Sequence, residues 1–224
     1  MIKEITNIVE QSIRTIKEAY VAVPKKFDLK TEFLSKSVKE ARQKDFEKCV
    51  EELNKISAKL DSVEKSEVNE KSSDFRRLKL DEVYNMNASF LKAKHFENIS
   101  DLRSLISMDM LAFIRLERDF GTFDGWQKDF IACCLTSRNG FAATVYCSNI
   151  NKYINLVIDA DMSNIPLGCT PVIVLDVSEG AYYRDYISDK KNYISSMMKE
   201  FNWNKIEKRF EQCEKIANSL KNKE

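Results

Sequence analysis

Histidine is nearly missing from this chain: His95 is the only one among 224 residues. One imidazole cannot build a multi-histidine metal centre. Glycine and proline are scarce, at 5 and 3. Few positions therefore force the backbone to break, which favours a helix-rich protein. No run of eighteen apolar residues exists, so no spanning helix is expected. The N-terminus carries no secretory apolar core. Net charge is also lacking: 36 basic residues against 35 acidic ones leave +1. No global field draws the chain to nucleic acid or to an anionic membrane. The small clusters Arg76, Arg77, Lys79 and Lys190, Lys191 read as solvated surface. The six cysteines, at 49, 133, 134, 147, 169 and 213, form no C-x-x-C pair. Reduced thiols in an intracellular protein fit that pattern, with cytoplasm and mitochondrion both open.

What is present points to a folded core. Apolar residues make up 43% and charged residues 32%, ordinary for a soluble protein with a sizeable core. Ile2, Ile5, Ile8, Val9, Ile13 and Ile16 recur at helical spacing, predicting an N-terminal extension helix over 1–19. Its polar face mixes both signs, unlike a transit peptide, which favours a packing or partner-binding role. Val23-Pro24 ends it. Residues 29–60 read as a long helix, with Phe33, Leu34, Val38, Ala41, Phe46, Val50, Leu53, Ile56 and Leu60 as its apolar stripe. Residues 61–73 are polar and read as an exposed loop or a frayed helix end. A second helix is expected from about Leu80 to Ile99. The two make an antiparallel α-hairpin domain over 20–99.

Residues 100–224 read as a C-terminal α+β domain. A helix is expected over Ser100–Phe113, from the spacing of Leu102, Leu105, Ile106, Met110 and Leu111. The run 119–124 is a turn, with Thr122 or Asp124 capping the helix that carries Trp126 and Phe130. Asn139-Gly140 is a turn signal, after which the period changes. Phe141–Cys147, Tyr153–Ile158 and Val172–Val177 read as three strands of a short antiparallel sheet, followed by closing helices. Trp126 and Trp203 read as core. The third strand runs Val172, Ile173, Val174, Leu175 and ends on Asp176. An acidic residue at that place serves either as a ligand or as a helix cap.

The segment Asp176-Val177-Ser178-Glu179-Gly180-Ala181-Tyr182-Tyr183-Arg184-Asp185-Tyr186 resembles the C-terminal signature of the iron/manganese superoxide dismutases, Asp-x-Trp-Glu-His-Ala-Tyr-Tyr-x-Asp-Tyr. Phe120-Gly121-Thr122-Phe123, Asn139-Gly140-Phe141 and Phe201-Asn202-Trp203 extend the resemblance, which covers roughly Tyr20 to Ala217. It implies an α-hairpin followed by a mixed domain whose sheet is flanked by helices. It also implies one Fe or Mn held by three histidines, one aspartate and a solvent molecule, a donor set suited to such metals. On the family's pattern the histidine positions fall on Ala41, Ala93 and Gly180. Only Asp176 retains its ligand type. The gating tyrosine falls on Cys49, the walling tryptophans on Phe141, Ala143 and Ser178, and a solvent-binding glutamine near Met162. His95 lies two residues past Ala93, on another side of its helix.

The resemblance therefore implies a non-catalytic member without cofactor, acting as a structural or interaction subunit. Metal-free members of the family are structural subunits of mitochondrial ribosomes, one assembly this reading offers. The alternative is a divergent active superoxide dismutase with Fe or Mn in a rearranged site built from Asp176, Glu179 and His95. The family dimerises through this segment. Glu179 and Tyr183 are the expected interface residues, with Asp45 as the partner of Tyr183, in a homodimer or a heterodimer with a related subunit. A third expectation is nucleic-acid binding by a basic face of Lys190, Lys191, Lys199, Lys205, Lys208 and Arg209, which net charge does not support.

Overall fold

The computed structural model describes residues 22–100 and 104–221. The expected N-terminal extension helix lies outside them, as do Asp101 and Leu102. Among the described residues no helix is long and apolar enough to cross a membrane.

Two long helices open the chain. Helix α1 spans Lys36–Ser62 and α2 spans Asp74–Ile99. Each starts on a serine: Ser35 Oγ accepts the Val38 N–H, and Ser73 Oγ accepts the Arg76 N–H. These caps correct the expected boundaries. Residues 29–34 fit the apolar spacing of α1 yet are not helical, because tertiary contacts hold them. Leu29, Thr31 and Leu34 are buried, and the Phe33 carbonyl accepts the Tyr186 hydroxyl at 2.9 Å. Helix α2 begins six residues before Leu80, where Ser73 and the first-turn Asp74 supply the start. Ile56, Leu60 and Leu78 close the tip of the hairpin.

Helix α3, Leu111–Phe120, starts later than its periodicity suggests. Met110 offers it no side-chain cap. Instead both Glu207 oxygens accept N–H groups, from Leu111 at 2.7 Å and Ala112 at 2.8 Å. A carboxylate at a helix N-terminus satisfies orphan donors and complements the dipole. Residues 104–110 are not helical, and Leu105 and Met108 are exposed. Gly121 then breaks the helix and Thr122 caps α4, Phe123–Thr136, by accepting the Gly125 N–H at 2.9 Å.

Three strands follow: β1 (Phe141–Cys147), β2 (Lys152–Ile158) and β3 (Cys169–Asp176). The order is β2-β1-β3, antiparallel throughout. Gly140 permits the entry to β1, since a Cβ there would lie 2.1 Å from the Ile158 carbonyl oxygen. Helices α5 (Glu179–Tyr186), α6 (Lys190–Lys199) and α7 (Trp203–Lys221) complete the chain. The architecture is an α-helical N-terminal region followed by a three-stranded antiparallel sheet flanked by helices. Trp126 and Trp203, 5.8 Å apart between ring centres, sit in the main core.

Polar groups join the layers. Arg209 on α7 donates to the Val172 carbonyl at 2.8 Å and to Glu97 at 2.9 Å, and it also bonds Asn98. Asn98 in turn donates to the Val174 carbonyl at 2.7 Å. Arg209 therefore ties α2 and β3 to α7 from inside. It is buried, so the basic face expected to include it does not form as one surface. Lys190 is engaged as well, donating to the Ser137 carbonyl at 3.0 Å.

Candidate functional site

Helix α1 buries Val38, Phe46 and Val50 along one face, and Arg42 stands in the same row. The fold thus carries a guanidinium inward, toward the end of β3. There Arg42 Nη2 pairs with Asp176 Oδ2, and Nη1 donates to Asp45 Oδ2 at 3.0 Å. Arg42 is 7% exposed and Asp176 fully buried. The other Asp176 oxygen is also used: Oδ1 accepts the Ser178 N–H at 3.0 Å and its hydroxyl at 2.6 Å. The Asp176 backbone carbonyl accepts the Tyr193 hydroxyl at 2.7 Å. Asp176 is therefore both an ion-pair partner and the acceptor for the turn into α5.

The electrostatics favour the charged pair. Burial alone would raise the Asp176 pKa, but Arg42, His95 and Ser178 outweigh it and hold the carboxyl below its usual range. Burial likewise opposes the Arg42 charge, and Asp176 with Asp45 more than offsets it. A buried charge with its partner in place is tolerated where a single one is not.

Gly180 makes the room. A Cβ at that position would lie 2.7 Å from Arg42 Nη1. The side chain that the resemblance expects here and the guanidinium compete for one volume. A cavity of about 230 Å³ lies alongside, lined by Arg42, Tyr84, Lys92, Phe141, Met162, Ser178 and Gly180 among others. Phe141 and Ser178 at tryptophan positions, Met162 near the glutamine position and Gly180 at a histidine position thus line one cavity with Arg42. Cys49 lies near the same region, accepting from Lys92 Nζ at 3.3 Å.

His95, on another side of its helix from Ala93, is nonetheless enclosed. It is 2% exposed, and its Nδ1 has no hydrogen-bond partner. Burial pulls its pKa down to about 4; Arg42 adds to that pull, while Asp176 and a Val174 backbone hydrogen bond oppose it. The imidazole is neutral near pH 7. Glu179, the third member of the rearranged set, is exposed at the start of α5. Among the described residues, no group of three or more His, Cys, Asp or Glu side chains could hold a metal ion.

The donors present do not fit an Fe or Mn ion. Ala41, Ala93 and Gly180 carry no side-chain donor atoms, and both Asp176 oxygens are already engaged by Arg42 and Ser178. A cation bound there would meet the Arg42 charge directly. As for the expected interface residues, Tyr183 is 58% exposed and Glu179 is exposed, while the half-exposed Asp45 accepts from Arg42.

Arg42 is the residue that sequence reasoning missed. Its signal was a lone charge inside an apolar helical row, at a position bracketed by Val38 and Phe46. Such a charge demands a buried partner.

Comparison with known proteins gives sequence relatives. The family model described as iron/manganese superoxide dismutases, C-terminal domain, matches residues 108–209. The chain is 32% identical over 99 residues to superoxide dismutase [Mn] 1 of Halobacterium salinarum, covering 44% of this chain and 49% of that protein. It is 31% identical over 97 residues to superoxide dismutase [Fe] of Methanothermobacter thermautotrophicus, covering 43% and 47%. These two matches span about half the length of each relative. A longer match, to superoxide dismutase [Fe] of Aquifex aeolicus, is 26% identical over 182 residues and covers 81% of this chain and 84% of the relative.

Proposed function

We propose that this chain, which is homologous to the iron/manganese superoxide dismutases, is a non-catalytic member in which the Arg42 guanidinium takes the place of the metal. The observation that carries the reading is the Arg42–Asp176 pair. The one carboxylate kept at a ligand position is spent on an internal cation. Its second oxygen is saturated by Ser178. Dismutation needs a redox ion that accepts and returns an electron, and a guanidinium supplies charge without redox capacity.

On this reading the scaffold acts as a structural or interaction subunit. The exposed face of α5 and its C-cap, with Tyr183 and Ile187 at 58% and 65% exposure, is the surface offered for self-association. Asp45 is committed to Arg42. A dimer through this face would therefore be held by Tyr183 and Glu179 with other partners. Ribosome association rests on the family resemblance and has no continuous basic face behind it, since Arg209 is buried. The test is a dismutation assay on protein offered Fe and Mn, run beside sedimentation of the same sample. No activity together with a dimer supports the reading. Activity that tracks bound metal overturns it.

A further inference from the structure

Cys147 closes β1 and Cys169 opens β3, and the two are direct cross-strand partners. The next pair outward, Ser148 and Gly168, shares a hydrogen bond from Ser148 N–H to the Gly168 carbonyl at 3.1 Å. Hydrogen-bonded and non-hydrogen-bonded pairs alternate along an antiparallel ladder, so the cysteines form a non-hydrogen-bonded pair, the class with Cα atoms about 4.5 Å apart. Directly opposed residues project from the same face of the sheet. A disulfide spans Cα separations of roughly 4.4–6.8 Å, so the spacing needs no backbone rearrangement. Both cysteines are free thiols. Access comes from one side: Cys169 is half-buried, while Cys147 is enclosed.

We infer that Cys147 and Cys169 form a dithiol that closes to a cross-strand disulfide, a modification site at the opposite end of β3 from Asp176. The inference does not depend on the metal question. The oxidant is a small-molecule disulfide. The Cys169 thiolate attacks it, forming a mixed disulfide and releasing one small thiol. The Cys147 thiolate then attacks the Cys169 sulfur, forming the Cys147–Cys169 bond and releasing the second small thiol. Two protein thiols are oxidised and one small disulfide is reduced, and the two thiol protons leave with the two released thiols. Burial and the adjacent Cys147 raise the Cys169 pKa to about 11. Because the thiolate is the nucleophile, closure is slow at neutral pH and accelerates as the pH rises.

The bond would tie the exit of β1 to the entry of β3, closing a loop that carries the whole of β2. The experiment incubates the reduced full-length chain with oxidised glutathione at mildly alkaline pH. Remaining thiols are then alkylated, and the protein is analysed by mass spectrometry and thermal melting. The expected result is loss of two of the six thiols. One peptide pair joins Cys147 to Cys169, the mass falls by two hydrogens, and the melting midpoint rises. C147S should stop at a glutathione adduct on Cys169 with no cross-link. Three results overturn the proposal: a lasting glutathione adduct on wild-type Cys169, a cross-link between other cysteines, or six unreacted thiols in the folded protein.

Discussion

Arg42 and Gly180 occupy one shared space: a Cβ on residue 180 would stand 2.7 Å from Arg42 Nη1. Helix α1 and the first turn of α5 are therefore matched. The arginine is admitted because the glycine has no side chain. Gly180→His should destabilise the protein by about 1–3 kcal/mol, the usual cost of overpacking a filled site. Combined with Arg42→Ala, which removes the clash, the two changes should cost less than their sum, so a double-mutant cycle by urea unfolding should give a clear coupling. Independent, additive effects would mean that the two residues do not compete.

Removing Arg42 alone strands Asp176. Arg42→Ala should cost about 3–5 kcal/mol, the penalty of leaving a buried charge unpaired. Pairing it with Asp176→Ala should cost less than the sum of the two single changes. Guanidinium denaturation midpoints at neutral pH read this directly. A fully additive pair would show that the two charges are not coupled.

Acid should unfold the protein in a defined window, set by two groups with depressed pKa values. His95 stays neutral in the fold down to about 4, whereas in the unfolded chain it takes a proton from about 6.5 downward. Across that interval the unfolded state binds more protons, so stability is fully present above about 6.5 and falls as pH drops toward 4. The loss due to His95 is about 3 kcal/mol. Asp176 acts in the same direction lower down. Its pKa lies below the unfolded value of about 3.9, so its contribution is present above that value and disappears beneath it. His95→Phe should flatten the curve between pH 6.5 and 4 while leaving the more acidic limb. An unchanged slope in that variant would assign the acid response elsewhere.

Glu207 reaches from α7 to cap α3 with both oxygens. Glu207→Ala should cost about 1–2 kcal/mol, as losing a helix cap does. Hydrogen exchange should quicken first in Leu111–Ile114, since the exposed amides lie there. Faster exchange spread evenly over α7 instead would assign Glu207 another role.

The sheet was legible because its determinants are local. The Asn139-Gly140 turn, the apolar runs of β1 and β3 and the period of two place all three strands to within a few residues. The helix starts were less so. Leu102, Leu105 and Ile106 keep helical spacing with Met110 and Leu111, yet α3 begins where Glu207, far along the chain, supplies its cap. At the site, Asp176 and Gly180 could be picked out from their frame. Arg42 could not, because its meaning depends on a partner 134 residues away. His95 was set aside by a helical-face argument relative to Ala93. That argument leaves burial open, since a helix packed between α1 and β3 has more than one enclosed side.

The central claim is that an internal guanidinium holds the carboxylate a metal would need. Elemental analysis of the purified full-length chain, after expression and refolding with Fe and Mn each in excess, tests it most directly. Far less than one ion per chain, unchanged by Asp176→Asn, is the result predicted. One tightly held Fe or Mn per chain that is lost in the Asp176→Asn variant would contradict it.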